Sequence, residues 1–194
     1  MIDSFSECKI AFTDKSDDDL ASILHVLGVD KYAYMNQTHS SEVLKINTGG
    51  IYQSDGIYTS FNKIALVVKT ADCMPILIKN NNFIAAVHAG WRGIKKNIIE
   101  LTLNRLGNGG EIYIGPHAKS CCYEVKSDVA KYFKKYIIAK NSRNYLDMAS
   151  HVVDTAKKYN YSINTINSCT ICNDNFYSFR ENRTKNRQFG IIWS

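Results

Sequence analysis

Proline is scarce: Pro75 and Pro116 are the only two in a chain of 194 residues. No repeat, low-complexity tract or linker interrupts the sequence, so nothing divides it and nothing points to a repeat array. No stretch approaches the 18 or more apolar residues of a membrane span. The start, Met1 to Thr13, carries charges and has no apolar run like that of a signal peptide. These absences set the expectation of a cytoplasmic protein with no membrane partner. Nucleic-acid recognition would need a basic stripe with interleaved aromatics or a known module, and neither is present. The excess of positive charge is modest, with 24 Lys and Arg against 18 Asp and Glu and a pI near 8.9. Those cations are scattered, apart from the run between Arg180 and Arg187. Such a balance leans toward small anionic partners and otherwise reads as a solvated basic surface.

The rest of the composition is ordinary for a globular protein, with 45% apolar and 22% charged residues. The length suits one domain with its own core. Strand-like runs recur at 9–13, 31–35, 43–47, 64–69, 75–79, 83–87, 111–114, 136–139 and 162–166. Helical periodicity covers Asp18–Leu27, Ile94–Leu106, Ser127–Lys135 and Tyr145–Tyr159. Strands and helices do not alternate regularly. The fold class expected is therefore α+β, a single domain with mixed β-sheets flanked by helices.

Six cysteines raise the question of disulfides, which a reducing compartment disfavours, so thiols or metal ligands are expected. Cys169-Thr170-Ile171-Cys172 is a Cys-x-x-Cys pair. A closed structural zinc site would want a second such pair. Adjacent Cys121-Cys122 lacks that spacing, so the sequence reads as structural thiols.

Of five histidines, His25 and His151 lie inside helical patterns and His117 follows Pro116 in a loop. His39 and His88 differ: each ends a strand-like run beside small or polar residues. Cys73 also follows a strand and stands just before another. The turn expected at Asn80-Asn81-Asn82 folds 75–79 against 83–87, which carries Cys73 and His88 to one rim. Two imidazoles and one thiolate make a three-ligand zinc set with an open fourth position, the form of a catalytic site. From spacing alone, His39, Cys73 and His88 read equally well as satisfied core or loop residues.

Several ordered blocks narrow the choice: Gln37-Thr38-His39 with Val43, Ser54-Asp55-Gly56 through Thr59, Thr70-Ala71-Asp72-Cys73-Met74-Pro75, Ala85 through Gly93, Ile114-Gly115-Pro116 with Cys121 through Val125, and Cys169-Thr170 with Phe176 through Arg180. In these blocks the chain resembles the purine nucleoside phosphorylase family formerly labelled polyphenol oxidases or laccase-domain proteins. The resemblance runs through most of the chain, as one domain over 1–194. It implies zinc bound by His39, Cys73 and His88. It also implies purine nucleoside and inorganic phosphate as substrates, with adenosine deamination and methylthioadenosine cleavage as related activities. The chain departs from the family where Asn186-Arg187 replaces the usual Gly-Arg. The N-terminal segment is also short, without the usual arginine-bearing loop.

On this reading Cys73, His88, Asp72 and Arg92 form the catalytic set, and Gln37, Arg92, Arg180 and Arg187 bind substrate. Phosphate would meet backbone N–H groups at the helix opening with Trp91-Arg92-Gly93, helped by the Arg92 guanidinium. Arg92 reads equally as a structural ion-pair partner. Asp72 is a candidate proton carrier or a support for its neighbour Cys73. The usual zinc-deaminase signature is absent. Three other classes stay open: a cysteine hydrolase or amidase with Cys73 as nucleophile and His88 as base, a copper oxidoreductase, for which five histidines are few, and a non-enzymatic ligand-binding or partner-regulating domain.

Overall fold

The computed structural model of the chain describes residues 8–17, 19–61 and 63–194. The expected helix start at Asp18 and residues 1–7 of the N-terminal stretch lie outside them. Strands and helices are numbered in chain order.

Two mixed sheets face each other. One has the order β1 (Lys9–Phe12), β14 (Gln188–Trp193), β6 (Ala65–Thr70), β2 (Tyr32–Met35) and β4 (Gly50–Tyr52). The other runs β13 (Tyr161–Thr165), β9 (Gly110–Ile114), β7 (Met74–Lys79), β8 (Ile84–Ala89), β5 (Gly56–Thr59) and β3 (Val43–Lys45). A small antiparallel sheet, β10 (Glu124–Val125), β12 (Arg143–Leu146) and β11 (Ile137–Lys140), is not hydrogen-bonded to either, but its Val125 and Leu146 join the same apolar cluster as β7 and β8.

Alternation along the strands explains the layering. In β7 and β8, Leu77 and Ala86 point between the sheets, where they join Leu66, Val68 and Ile192. Ile76, Ile78, Ala85 and Val87 point the other way, onto α2 (Trp91–Lys95), α3 (Ile98–Leu106) and α5 (Met148–Lys158). On the far side of the first sheet, Ala65, Val67 and Ile191 pack on Leu24 of α1 (Leu20–Val26). Four layers result, and both faces of β6, β7 and β8 are buried. That is why those strands read as continuous apolar runs. Each fully buried Ile or Leu contributes about 1.5–3 kcal/mol.

The mixed strand-and-helix class stands, and so does the hairpin. Pro75 pairs with His88 and Ile78 with Ala85 across an antiparallel ladder. Asn80 closes the turn: its backbone N–H donates to Phe83 and its side-chain oxygen accepts from the Asn82 and Phe83 N–H groups.

Several boundaries need correction. The helix expected over Ile94–Leu106 is two helices, and Trp91 begins the first. Asn97 breaks them apart in a left-handed conformation (φ 61°), which asparagine tolerates. The spacing of Ile94, Ile98 and Leu101 reads as one apolar stripe, but Leu101 is 38% exposed and the buried face of α3 is Ile98, Ile99, Leu103 and Leu106. The helix expected over Ser127–Lys135 stops after α4 (Ser127–Ala130). Tyr145 belongs to β12, and α5 starts after the Asp147 cap, which accepts from Ser150 N–H at 3.0 Å. Five strands carried no expectation: β4, β5, β10, β12 and β14. The last is central, clamped between β1 and β6.

Candidate metal centre and cationic cavity

The two facing sheets place three chain segments at one rim. β6 ends at Thr70, and Asp72 and Cys73 form the link into β7. His88 stands on β8, opposite Pro75. His39 follows β2 in a loop. Cys73 Sγ lies 3.6 Å from His39 Nε2, and the two imidazoles meet edge to face with centroids 4.8 Å apart. One donor atom from each of His39, Cys73 and His88 lies within 4.8 Å of the others.

Asp55, which precedes β5, organises this group and had no role in the sequence reading. It is fully buried. Its Oδ1 accepts from the His39 N–H at 3.0 Å and pairs with His88 Nδ1 at 2.7 Å. Its Oδ2 accepts from the N–H groups of Thr38 and Ser40 and from the Ser40 hydroxyl, at 3.2, 2.7 and 2.6 Å. Three successive backbone donors thus converge on one carboxylate. This holds His39 in a left-handed conformation (φ 59°) that a non-glycine residue seldom adopts. The bond at Nδ1 also fixes the His88 tautomer, with Nε2 free for a ligand. Burial alone would raise the Asp55 pKa. The donors from His88 and Ser40 outweigh it and hold the carboxyl far below the usual range.

The thiol and imidazole are perturbed in opposite directions. Burial opposes ionisation of Cys73, but the neighbouring His88 and His39 win and bring it down to about 6. Burial also opposes charging of His88, yet the Cys73 and Asp55 partners raise it to about 9. A metal-free site would therefore hold a thiolate and an imidazolium. Two imidazole nitrogens and a thiolate fit a divalent borderline-soft metal with a fourth position to spare. The backbone leaves room for them: a Cβ on Gly90 would sit 2.9 Å from Cys73 Sγ and 3.2 Å from His39 Cδ2.

This rim is the floor of a cavity of about 750 Å³. Six cations line it: Lys69, Arg92, Arg180, Arg183, Lys185 and Arg187. Asp72 is its acidic lining residue, and both Asp72 oxygens are engaged, by the Thr170 hydroxyl at 2.8 Å and the Arg180 N–H at 2.6 Å. The Thr70 hydroxyl is buried in the cavity wall without a hydrogen-bond partner among the described residues. Gln37 also lines the cavity. Its side-chain amide is spent on the Lys69 backbone, donating to the carbonyl at 2.7 Å and accepting from the N–H at 3.0 Å. Arg180 stacks over Tyr123 and donates to the Glu124 carbonyl, and Arg187 donates to the carbonyls of Thr184 and Asn186. Arg92 lies over the Trp91 ring. Its helix α2 is one turn long, so an anion here meets side-chain cations more than a helix dipole.

The remaining histidines stand elsewhere. His117 is buried and bonded to the Gly115 carbonyl, His151 lies on α5 against Phe133 and Tyr136, and His25 is on α1. With two histidines at the rim, the set falls short of the imidazole count that a trinuclear copper cluster needs. The four thiols of Cys121, Cys122, Cys169 and Cys172 are not isolated pairs, as their spacing suggested, but one cluster. Among the described residues, no helix is long and apolar enough to cross a membrane.

Comparison with known proteins bears on this geometry. The family described as multi-copper polyphenol oxidoreductase laccase matches residues 14–194. A purine nucleoside phosphorylase of Aquifex aeolicus is 33% identical over 172 residues, covering 85% of this chain and 84% of its own length. One from Clostridium acetobutylicum is 31% identical, covering 93% and 84%. The crystal structure of the hypothetical protein YfiH of Bacillus licheniformis superposes with a TM-score of 0.87 at 20% identity, covering 100% of this chain and 95% of that one.

Proposed function

The chain belongs to the multi-copper polyphenol oxidoreductase laccase family, and on that premise we propose that it is a zinc-dependent purine nucleoside phosphorylase. Its substrates on this reading are adenosine and related purine nucleosides, cleaved with inorganic phosphate. Adenosine deamination and methylthioadenosine phosphorolysis belong to the same reading. The observation that carries it is a His–Cys–His donor set on the floor of a cavity walled by six cations. The names of the similar relatives support the same chemistry.

His39, Cys73 and His88 would hold the zinc. Bound there, it would supply Lewis acidity and an activated water near neutral pH. The chain's own residues do the rest. Arg180 and Arg187, with Lys69 and Arg92 beside them, draw phosphate into the cavity and hold it by charge-assisted hydrogen bonds. The attack passes through a transition state with oxocarbenium character, which a nearby phosphate dianion stabilises. Trp91, Tyr123 and Phe179 offer aromatic faces for a purine. Burial, with the Cys73 charge nearby, pushes Tyr123 up to about 12, so it remains a neutral O–H donor toward a leaving base. Asp72 ties Thr170 and the Arg180 backbone to the cysteine loop and sets the position of both.

Release of adenine and ribose 1-phosphate, followed against phosphate concentration, tests the proposal. Adenine released equally without phosphate would mean hydrolysis. Inosine as the main product would mean deamination, and no turnover across a nucleoside panel would sink the reading. One observation favours a second reading: Cys73, His88 and Asp55 line up as an activated thiolate, its base and an orienting carboxylate. A cysteine hydrolase would survive chelation and die on alkylation of Cys73, whereas the phosphorylase would be lost on chelation.

A further inference from the structure

We infer that Cys121, Cys122, Cys169 and Cys172 form a second metal site, a closed tetrathiolate that binds one structural zinc ion. The four sulfurs lie within 4.8 Å of one another. Cys121 and Cys172 are 3.8 Å apart, far beyond a disulfide bond of about 2.05 Å. Sulfurs placed about 2.3 Å from a central zinc make a tetrahedron with edges of about 3.8 Å. The Cys121–Cys172 separation equals such an edge, and the other sulfurs, within 4.8 Å, are close enough to converge on one ion.

Local backbone explains how adjacent cysteines manage this without a Cys-x-x-Cys spacing. The Cys122 and Tyr123 N–H groups both donate to the Lys119 carbonyl, at 3.0 and 2.8 Å, and so close a tight turn. That turn presents both thiols to the loop carrying Cys169 and Cys172. The two segments are already paired: His117 and Cys169 form a parallel bridge, and the Thr170 N–H donates to the His117 carbonyl at 3.1 Å. The Lys119 N–H donates to Cys169 Sγ at 3.5 Å, a contact that favours a thiolate ligand. Four protein ligands leave no open position, so the ion would be structural, and its binding would release the thiol protons.

The location gives the ion a task. Its two loops carry the hydrogen-bond partners that fix the cavity wall. Thr170, between Cys169 and Cys172, donates to Asp72 next to Cys73, and Arg180 reaches back to the Glu124 carbonyl beyond Cys122. A zinc clamp here joins residues nearly fifty positions apart and steadies Tyr123 and Arg180 from behind.

Metal counting by native mass spectrometry, on protein purified without chelators, tests the proposal separately from the nucleoside chemistry. Cys73→Ala removes a residue of the cavity rim and leaves the four thiols in place. The expected result is that Cys73→Ala protein retains one zinc per chain. The double variant Cys73→Ala/Cys172→Ser should lose that ion, with a thermal midpoint several degrees lower. Cobalt loaded into Cys73→Ala protein should show the intense sulfur-to-metal charge transfer of a tetrathiolate. Metal-free Cys73→Ala protein, or a disulfide among the four cysteines in freshly prepared wild type, would overturn the proposal. Neither readout requires that Cys172→Ser fold.

Discussion

Replacing Asp55 by asparagine tests how far one buried carboxylate governs the metal centre. The two side chains have nearly the same volume, so packing is conserved and only hydrogen bonding changes. The wild-type oxygens take five contacts of 3.2 Å or less, two on Oδ1 and three on Oδ2, with a longer sixth of 3.5 Å from the Thr38 hydroxyl to Oδ2. An amide turned with its NH₂ toward the Oδ2 position would face three donors. Turned the other way, it faces the His39 N–H and His88 Nδ1, which is the better of two poor choices. In that orientation the amide donates to Nδ1, the proton moves to Nε2, and His88 can no longer offer Nε2 to a metal. Loss of such an outer partner lowers metal affinity about 10–100-fold, or about 1.4–2.7 kcal/mol. The orphaned, part-buried His39 N–H adds a stability loss of about 1 kcal/mol, the low end for an unpaired donor, which falls on the folded state with or without metal. Competition with a chelator measures the first effect, and guanidinium unfolding of metal-free protein measures the second. Asp55→Asn protein with wild-type metal affinity would refute the tautomer argument. Unchanged stability of the metal-free protein would refute the claim that three converging N–H groups need a carboxylate.

Gly90→Ala should weaken metal binding without unfolding the chain. The backbone there is unstrained (φ −84°), but the new Cβ would press on Cys73 Sγ and His39 Cδ2, and titration with zinc would show the loss. Arg187→Ala and Arg180→Ala should each raise the phosphate concentration needed for half-maximal rate, by about 10–140-fold if a charge-assisted hydrogen bond of about 1.5–3 kcal/mol is removed. An unchanged phosphate dependence in both variants would remove them from the phosphate site. After chelation, Cys73 should become open to iodoacetamide. Its thiol is lowered to about 6, so the rate should rise as pH passes 6 and level off well below the ordinary thiol value of 9.0. A rate still climbing between pH 8 and 9 would show that the imidazoles do not hold a thiolate there.

The sequence made some parts of the fold legible because their signals are local. An asparagine turn between two apolar runs of equal length is enough to read the hairpin of β7 and β8, and with it the meeting of Cys73 and His88. Asn97 offered no comparable cue: the apolar spacing from Ile94 to Leu106 continues across it, and only its positive φ separates α2 from α3. The strand Gln188–Trp193 follows a stretch rich in arginine and polar residues. Its central place depends on partners from Lys9–Phe12 and Ala65–Thr70, more than a hundred residues away. Tyr145 fits the stripe of α5 by spacing, but its backbone pairs with Glu124 and Ile138.

The same distinction runs through the candidate site. Histidine and cysteine stand out because they are few and because their chemistry is specific. Asp55 is one of 18 acidic residues, and what sets it apart is that it lies under the Thr38–Ser40 backbone and beside His88 Nδ1. No spacing rule relates position 55 to positions 38–40 and 88, since they meet only when β5 is laid beside β8. Cys121-Cys122 misled for the opposite reason. The expectation of two Cys-x-x-Cys pairs presumes that each pair is presented by one turn of the same kind. Here one pair is presented by a loop and the other by a turn pinned to Lys119, and the four sulfurs come within 4.8 Å of one another between them. Donor type can therefore be read from a sequence, whereas donor count at a site is a property of the assembled loops. A metal assignment from spacing will err by omission wherever adjacent cysteines sit on such a turn.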